Sequence, residues 1–139
     1  MKQCDIMKIS EEEVAFVSEQ KSLEEGVSFI RDHSDIKILF VTLGNKGSIA
    51  YYKDEKIYCR GIHQEHVIDT TGAGDTFCGA VLNRILELGT DALAEEDIRE
   101  MLLFANAAAS IVVTRKGALC SMPEPEEIRA ASSLIDKVL

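Results

Sequence analysis

The sequence is poor in the residues and segments that mark several classes of protein. Its 139 residues include no tryptophan, 2 prolines and 4 cysteines. The cysteines lie far apart without a Cys-x-x-Cys pair, which argues against a zinc finger or a disulfide framework and for reduced thiols. No apolar run approaches the roughly 20 residues needed to span a bilayer, and the first residues lack the apolar segment of a signal peptide. We therefore expect a cytoplasmic protein without a membrane partner.

Positive charge is also scarce. The 15 Lys and Arg residues are outnumbered by 24 Asp and Glu residues, giving a formal net charge of −9. A field of that sign repels phosphate backbones, which argues against a nucleic-acid partner. The Gly-x-x-x-x-Gly-Lys and Gly-x-Gly-x-x-Gly motifs are absent, so a P-loop NTPase or a dinucleotide-binding Rossmann domain is unsupported. His63 and His66 lack partners at ligand spacing, and we interpret them as surface histidines.

What is present is the composition of a globular domain, with 46% hydrophobic and 28% charged residues. A chain of this length removes roughly 68% of its unfolded surface from water, which is enough for a core without disulfides or metals. No internal repeat, low-complexity tract or linker is visible. We therefore interpret residues 1–139 as a single α/β unit.

The first part of the chain predicts a strand followed by two amphipathic helices. An apolar strand at residues 5–9 runs into Ser10 and Glu13, which form a Ser-x-x-Glu capping box. A second helix is predicted from residue 22 onward. The side chains expected to face inward from the two helices are Val14, Phe16, Val17, Leu23, Val27 and Ile30.

The next part predicts three strands. Residues 36–43 form a continuous apolar run rich in β-branched and aromatic side chains, as in a central strand covered on both faces. A turn signal follows at residues 44–47. Residues 48–52 and 57–59 are apolar segments joined by polar turn residues, which predicts an antiparallel meander at one side of the sheet.

The last part predicts three helices. The first begins within the glycine cluster at residues 72–74, because apolar side chains recur at helical spacing from Phe77 onward. A second pattern, with small alanines, extends over residues 95–113. Residues 123–139 predict a surface helix with Ile128, Leu134 and Ile135 turned inward.

The segment that carries most information about chemistry is Asp69-Thr70-Thr71-Gly72-Ala73-Gly74-Asp75. Two glycines and an alanine before a helix leave backbone N–H groups unobstructed, and with the positive helix end they form a concavity for anionic oxygens. An aspartate at that helix start can face a hydroxyl beside a bound phosphate, which makes Asp75 a candidate general base. The alternative is a plain loop with Asp75 as a helix cap, and an isolated Gly-x-Gly would favour it.

Residues 69–80 resemble the C-terminal signature of ribokinase/fructokinase-like (PfkB-type) carbohydrate kinases. Residues 5–13, 41–47 and 105–118 match further stretches of that family in the same order, so the similarity covers nearly the whole chain and argues against the plain loop. The resemblance implies a ribokinase-like α/β fold. Its central, mostly parallel sheet would be flanked by helices and would carry the antiparallel meander at its edge.

The resemblance also implies ATP-dependent phosphorylation of a sugar hydroxyl, with Mg²⁺ as a cofactor. Asp75 matches the general base that takes the proton from the attacking hydroxyl, and Gly72, Ala73 and Gly74 match the anion hole for the transferring phosphoryl group. Such enzymes act mainly by alignment and charge neutralisation, which backbone donors and Mg²⁺ supply. A general base adds roughly 10²–10⁴-fold.

Four further positions match the nucleotide site of the family. Thr42, Gly44 and Gly47 match a strand-end turn that contacts nucleotide phosphates and ribose, although an ordinary hairpin turn explains them equally well. Asn106 matches a position that lines the adenine pocket. Taken alone, a helical asparagine beside alanines is most often a polar surface residue.

Metal positions follow from the same resemblance. Glu13 matches the acid of an Asn-x-x-Glu motif that orders the water shell of Mg²⁺, but Ser10 stands where that motif has Asn, and the capping box explains both residues structurally. A monovalent cation, K⁺, is held in ribokinase-like members chiefly through main-chain carbonyls. The matching positions are Asp69, Thr71, Val112, Arg115, Gly117 and Ser121.

Members of the family are substantially longer than this chain. The resemblance places residues 1–139 in the C-terminal, nucleotide-binding half of the kinase domain, and most sugar contacts and the small lid in the preceding half. The chain is then a fragment or a truncated product, or a partner completes it, such as a separate N-terminal half or a second copy in a homodimer. The alternative function is a nucleotide-binding or structural half-module without turnover.

Overall fold

The computed structural model describes residues 4–135, and it describes side-chain burial through residue 133. The strands are β1 (Ile6–Ser10), β2 (Ile38–Thr42), β3 (Gly47–Tyr52) and β4 (Glu55–Arg60). The helices are α1 (Glu11–Ser18), α2 (Leu23–Asp32), α3 (Ala73–Leu88), α4 (Glu95–Val112) and α5 (Pro125–Ile135). Short 3-10 turns lie at Gly44–Lys46 and Leu119–Ser121. The predicted order of strands and helices is confirmed.

The four strands form one sheet in the order β1-β2-β3-β4. The pair β1–β2 is parallel, and the pairs β2–β3 and β3–β4 are antiparallel. The predicted meander is therefore confirmed, whereas the expected mostly parallel sheet is a mixed one over the described strands. Connection length explains the difference, because α1 and α2 supply the long crossover that a parallel pair needs, and tight turns join the other pairs.

The capping boxes start the first two helices as predicted for Ser10. Ser10 Oγ accepts from the Glu13 N–H at 3.1 Å, and Glu13 Oε2 accepts from the Ser10 N–H at 2.7 Å. The expected inward face of α1 is wrong in part, because Phe16 and Val17 are 84% and 42% exposed. Only Val14 and Ser18 of this helix are buried, since residues four apart share a face of a short helix.

The sheet has two packed faces because side chains alternate along each strand. On the face covered by α1 and α2, here the α2 face, a buried cluster includes Ile9, Leu39, Val41, Ile49 and Tyr51. On the other face, here the α4 face, Ile38, Phe40, Ala50 and Ile57 pack against α3 and α4. These clusters confirm β2 as a strand that is covered on both sides.

One aromatic contact on the α4 face fixes the start of α3. The rings of Phe40 and Phe77 meet edge to face with centroids 6.3 Å apart, and both side chains are at least 98% buried. Phe77 lies in the second turn of α3, so this contact places the glycine-rich start of the helix near the end of β2. A contact between two core side chains thus positions the glycine-rich segment, which is the candidate anion-binding site.

The C-terminal helix α5 covers part of α4. Ile128 is buried against Ala107 and Ala108, which confirms its inward position and the use of small residues for close helix contact. The predicted inward positions of Leu134 and Ile135 fall outside the described side chains. Among residues 4–135, the helices are too short or too polar to traverse a lipid bilayer.

Candidate functional site

A cleft of about 380 Å³ opens where β2 ends and α3 begins. It is lined by Thr42, Gly44 and Gly47 from the strand-end turn, by Gly74 from the start of α3, and by Asn106 from α4. Clefts at the carboxyl ends of parallel strands are the usual ligand sites of α/β folds. Three stretches that are far apart in sequence therefore converge on one concave surface.

The two glycines of the strand-end turn have different surroundings. Gly47 has a φ of 117°, and a Cβ there would lie 2.1 Å from the carbonyl oxygen of Cys59. Gly44 has a φ of 60° but open space at its Cβ position. Gly47 is thus required for the packing of β3 against β4, whereas Gly44 exposes its backbone to the cleft.

The glycine-rich loop leaves the start of α3 open. Gly72 adopts a φ of 84°, and a Cβ there would crowd the Ala118 Cβ at 3.1 Å. The Gly72 carbonyl accepts from the Thr76 N–H at 2.8 Å. No side chain in the described part of the chain caps this helix, and the N–H groups of Gly74 and Asp75 have no acceptor there. The loop therefore has the free donors that an anion hole requires.

Asp75 lies in the first turn of α3 with its side chain exposed. The next residue, Thr76, is 8% exposed, and its hydroxyl has no hydrogen-bond partner among the described residues. Helix geometry places these residues on different sides of α3, because Thr76 and Phe77 turn inward whereas Asp75 faces solvent beside the cleft. The structure thus leaves the Asp75 carboxylate accessible from solvent.

Asn106 is buried, and its side chain links α4 to two neighbouring strands. It is 7% exposed, its Oδ1 accepts from Ser48 Oγ at 3.0 Å, and its Nδ2 donates to the carbonyls of Cys59 and Arg60 at 3.3 and 3.4 Å. The surface interpretation is therefore wrong. A buried amide has to satisfy its donors and acceptor internally, and Asn106 does so by tying α4 to β3 and β4 at the cleft wall.

Glu13 lies near the same strand ends. Ser10 pairs in register with Thr42, so the start of α1 stands next to the strand-end turn, and Lys46 of that turn approaches Glu11 at 3.6 Å. The hydrogen bond from the Ser10 N–H lowers the pKa of Glu13 and keeps it ionised. Within residues 4–135 no group of three or more His, Cys, Asp or Glu side chains could hold a metal by itself.

The loop before α3 is fastened to the segment after α4. The Val113 carbonyl accepts from the N–H groups of Ile68 and Asp69 at 2.7 and 3.2 Å. Asp69 Oδ1 accepts from the Thr71 N–H at 2.9 Å, and Oδ2 accepts from the Gly117 N–H at 3.2 Å. Hydrogen bonds from Thr71, then from Gly117, lower the pKa of Asp69. The positions predicted to hold a monovalent cation at Asp69, Thr71 and Gly117 are thereby brought together.

The other three positions of that set have structural partners. The Val112 carbonyl accepts from the Arg115 N–H at 3.0 Å, and the Ser121 hydroxyl donates to the carbonyls of Gly117 and Ala118. The Arg115 guanidinium donates to the Ser121 carbonyl and pairs with Glu127. These bonds close the turn after α4. Each carbonyl oxygen that accepts one of them therefore already has a hydrogen-bond partner within the protein.

Sequence reasoning missed the apolar wall of the cleft. Ile62, from the stretch that carries the two surface histidines, and Val67, which follows that stretch, line it together with Ala109 and Val113. Val67 is 57% exposed, so its side chain is accessible at the wall of the cleft. The three apolar residues within 61–68 were the available signal. This wall suits a flat, partly apolar group such as a nucleobase.

The chain belongs to the pfkB family of carbohydrate kinases, whose family model matches residues 1–125. Among curated relatives, fructokinase-1 of Oryza sativa subsp. japonica is 37% identical over 129 residues, which cover 91% of this chain and 39% of the rice protein. The chain thus spans about two fifths of the length of that relative.

Solved structures of the same class superimpose closely. Fructokinase from Vibrio cholerae O395, bound to fructose, ADP and calcium ion, matches at a TM-score of 0.81 and 34% identity over 91% of this chain and 40% of its own. Arabidopsis thaliana ribokinase, complexed with ribose and ATP, matches at 0.79 and 32% over 92% of this chain and 40% of its own. The ribokinase-like α/β fold, present here as a partial domain, is confirmed.

Proposed function

We propose that this chain is the nucleotide-binding half of a sugar kinase that transfers a phosphoryl group from ATP to a sugar hydroxyl. The observation that carries the proposal is the convergence of the strand-end turn, the glycine-rich loop and α4 on one cleft. An open helix start supplies N–H donors for phosphates, and the apolar wall is suited to the base. Adenine would lie toward Asn106 and the phosphates toward Gly74.

In the proposed reaction, Asp75 acts as the general base. The sugar hydroxyl oxygen forms a bond to the terminal phosphorus of ATP as the bond from that phosphorus to ADP breaks, and the proton passes to the Asp75 carboxylate. The N–H groups of the Gly72, Ala73 and Gly74 segment, of which that of Gly74 has no acceptor among the described residues, stabilise the charge on the phosphoryl oxygens. Exposure of Asp75 beside these donors supports the assignment.

Glu13 and the Asp69 loop fit the ions proposed for this site. Mg²⁺ is commonly held by one or two carboxylates together with substrate phosphates and water, and Glu13 is an ionised carboxylate at the strand ends. When bound, Mg²⁺ would neutralise phosphate charge. The joined carbonyl-rich segments at Asp69, Thr71 and Gly117 fit K⁺, and we expect K⁺ to raise nucleotide affinity relative to a large organic cation at equal ionic strength.

The proposed acceptor is a sugar of the fructose or ribose class. The rice relative is a fructokinase, and the two solved neighbours contain fructose and ribose. The Ser-Glu-Glu-Glu sequence at residues 10–13 is closer to fructokinase-like than to ribokinase members, which favours fructose.

A second candidate function follows from length. The chain spans about two fifths of the rice fructokinase, and the second candidate is a nucleotide-binding or structural half-module without turnover. This candidate predicts ATP binding without phosphate transfer to fructose or ribose. The kinase proposal predicts transfer when the sugar-binding half is supplied.

Nucleotide titration followed by NMR tests the binding proposal. ATP should shift the amide signals of Gly44, Gly74 and Asn106 together, while signals of α2 stay in place. Shifts confined to other surfaces would refute the placement.

A matched pair of variants sharpens this test. Val67→Glu places a carboxylate on the cleft wall and should weaken ATP binding about tenfold or more through like-charge repulsion. Leu86→Glu makes the same charge change at a residue 86% exposed on the outer side of α3 and should bind ATP as the wild type does. Equal affinities for the two variants would contradict the proposed site.

A further inference from the structure

A second cleft, of about 470 Å³, lies on the α2 face of the sheet. It opens between α2 and the paired strands β3 and β4, at the end of these strands that is farther from the proposed nucleotide site. Its volume is within the roughly 300–1,000 Å³ of small-molecule sites. The polar residues that line it are Glu24, Ser28, Arg31, Asp32, Tyr51 and Lys56. The function proposed above uses none of them.

Tyr51 brings a buried and unpaired hydroxyl group to this cleft. It is 7% exposed, and its hydroxyl has no hydrogen bond to the described residues. The next residue, Tyr52, is buried on the opposite face of β3, and its hydroxyl donates to the Thr90 carbonyl at 2.8 Å. Buried polar groups are usually paired in this way. Burial raises the pKa of Tyr51, so the group stays protonated and offers an unused donor.

Two cations flank this hydroxyl. Lys56 lies directly opposite Tyr51 in the strand register, and its Nζ is 5.8 Å from the centre of the Tyr51 ring. Arg31 donates to the Lys53 carbonyl, which occupies one of its five donors. The charges of both cations act on the Tyr51 hydroxyl and partly offset the rise of its pKa. Because ammonium and guanidinium groups only donate, the Tyr51 proton still lacks an acceptor. These three groups together form a donor set for an anion.

The carboxylates of the cleft restrict which anion fits. Lys56 pairs with Glu24 at 3.1 Å, and the two side chains are 47% and 69% exposed. An ion pair this exposed contributes little stability, so a stronger anion can replace Glu24 at Lys56. Asp32, which accepts from Ser28 Oγ at 3.4 Å, remains as a second carboxylate. Two carboxylates repel a bare phosphate but accept hydrogen bonds from hydroxyl groups. The cleft thus combines donors for an anion with acceptors for hydroxyls.

We propose that this cleft binds a phosphate monoester that carries hydroxyl groups, which is the chemistry of a sugar phosphate. The phosphate accepts from the Tyr51 hydroxyl, Arg31 and Lys56, and the hydroxyl groups donate to Glu24 and Asp32. The product of the proposed reaction belongs to this class, and only that link to the reaction rests on the proposed function. The two clefts share no lining residue, so ATP and this ligand do not compete.

Calorimetric titration with fructose 6-phosphate, ribose 5-phosphate, fructose and inorganic phosphate tests the proposal. At least one sugar phosphate should bind about tenfold or more tightly than inorganic phosphate, and fructose should not bind. Tyr51→Phe should lose about tenfold or more in sugar-phosphate affinity, as expected for a hydrogen bond to a charged group. Lys56→Met should lose at least as much, whereas Lys21→Met, at an exposed loop residue, makes the same charge change and should bind as the wild type does.

Thermal unfolding separates ligand binding from a structural role of Tyr51. Without ligand, Tyr51→Phe should have a Tm equal to or above that of the wild type, because it removes an unpaired buried hydroxyl. Its Tm should rise less on adding the sugar phosphate. Tyr52→Phe is the matched control, which should have a lower Tm because it loses the bond to Thr90 and should keep the full ligand-induced rise.

Several outcomes would overturn the proposal. Wild-type affinity in Tyr51→Phe would remove the site, and equal binding of inorganic phosphate and sugar phosphate would remove the role of the carboxylates. Binding lost in Val67→Glu but kept in Tyr51→Phe would place the ligand in the nucleotide cleft instead. A protein that binds ATP but neither sugar phosphate would refute this site alone. Tyr51-dependent binding in a protein that does not bind ATP would support this site and refute the nucleotide site.

Discussion

The two faces of the sheet differ in how far apolar packing extends toward the strand ends. On the α2 face the last inward side chains, Ile9, Val41 and Ile49, are buried and apolar. On the α4 face the corresponding positions are Ser10, Thr42 and Ser48, with Lys8 one step earlier. The same strands thus provide a continuous core on one face, and a core that gives way to polar groups at the cleft on the other.

Because of this difference, the polar residues at the cleft and the continuous apolar core lie on opposite faces of one sheet. Alternation lets each strand place consecutive residues in two environments, so polar groups at the cleft need not interrupt the opposite core. Ser48 is buried but satisfied by Asn106. Thr42 lines the cleft beyond the last apolar position. Substitutions near the cleft should therefore change binding or catalysis more than stability, and substitutions on the α2 face should do the reverse.

The largest effect is expected at Asp75. Asp75→Asn in the intact kinase should reduce sugar phosphorylation by roughly 10²–10⁴-fold, because it removes the proposed proton acceptor. The free energy of unfolding should change by about 1 kcal/mol or less, since Asn still suits a helix start. Sugar-dependent ADP formation and chemical denaturation measure the two quantities.

Asp54→Asn, in the exposed turn between β3 and β4, is the matched control and should retain full activity. Unchanged turnover in Asp75→Asn would mean that another group accepts the proton. Loss of ATP binding in that variant would instead indicate that Asp75 shapes the nucleotide site.

The opposite result is expected on the α2 face. Leu39 is 1% exposed, and Leu39→Ala should cost about 2–5 kcal/mol of unfolding free energy, because a buried leucine leaves a cavity. ATP affinity of the folded fraction should remain near the wild-type value. Leu86→Ala, at a residue 86% exposed, should change stability little. A large loss of affinity in folded Leu39→Ala would contradict the separation of the two faces.

Asn106 tests the boundary between core and cleft. Asn106→Ala should cost about 1–3 kcal/mol, since it removes the acceptor of the buried Ser48 hydroxyl. ATP binding should weaken as well, because the tie from α4 to β3 and β4 forms the cleft wall. Asn83→Ala, on the exposed side of α3, should change neither quantity. Denaturation and nucleotide titration of both variants measure this, and wild-type stability of Asn106→Ala would contradict the bridging role.

Much of the fold was predictable because its signals are local. The capping box at Ser10, the meander turns and the helix start after Gly72 each depend on residues within one or two turns of each other. The convergence of the matched stretches on one cleft was predictable only through the family resemblance. The roles of Asp75, Glu13 and the K⁺ positions stay predictions.

The features that sequence reasoning missed depend on contacts between distant segments. Asn106 is buried because Ser48, 58 positions away, meets it across the α4 face. The exposure of Phe16 and Val17 follows from which side of α1 meets α2, and periodicity over eight residues could not decide that. Alternation along β1 predicts only on which face of the sheet Lys8 lies. Its proximity to Gly74 is visible only in the structure.

The smallest effect is expected at Asp69, on the loop that closes the polar end of the α4 face. Hydrogen bonds from Thr71 and Gly117 lower its pKa in the folded state, so its ionised form adds stability above the unfolded pKa of about 4. That stability is lost as pH falls through the lower folded value. Asp69→Asn should therefore be less stable than the wild type at pH 7, and the difference should shrink below about pH 4. Denaturation from pH 7 to 2 measures this against Asp35→Asn in an exposed loop, and a pH-independent difference would show that Asp69 acts through shape rather than charge.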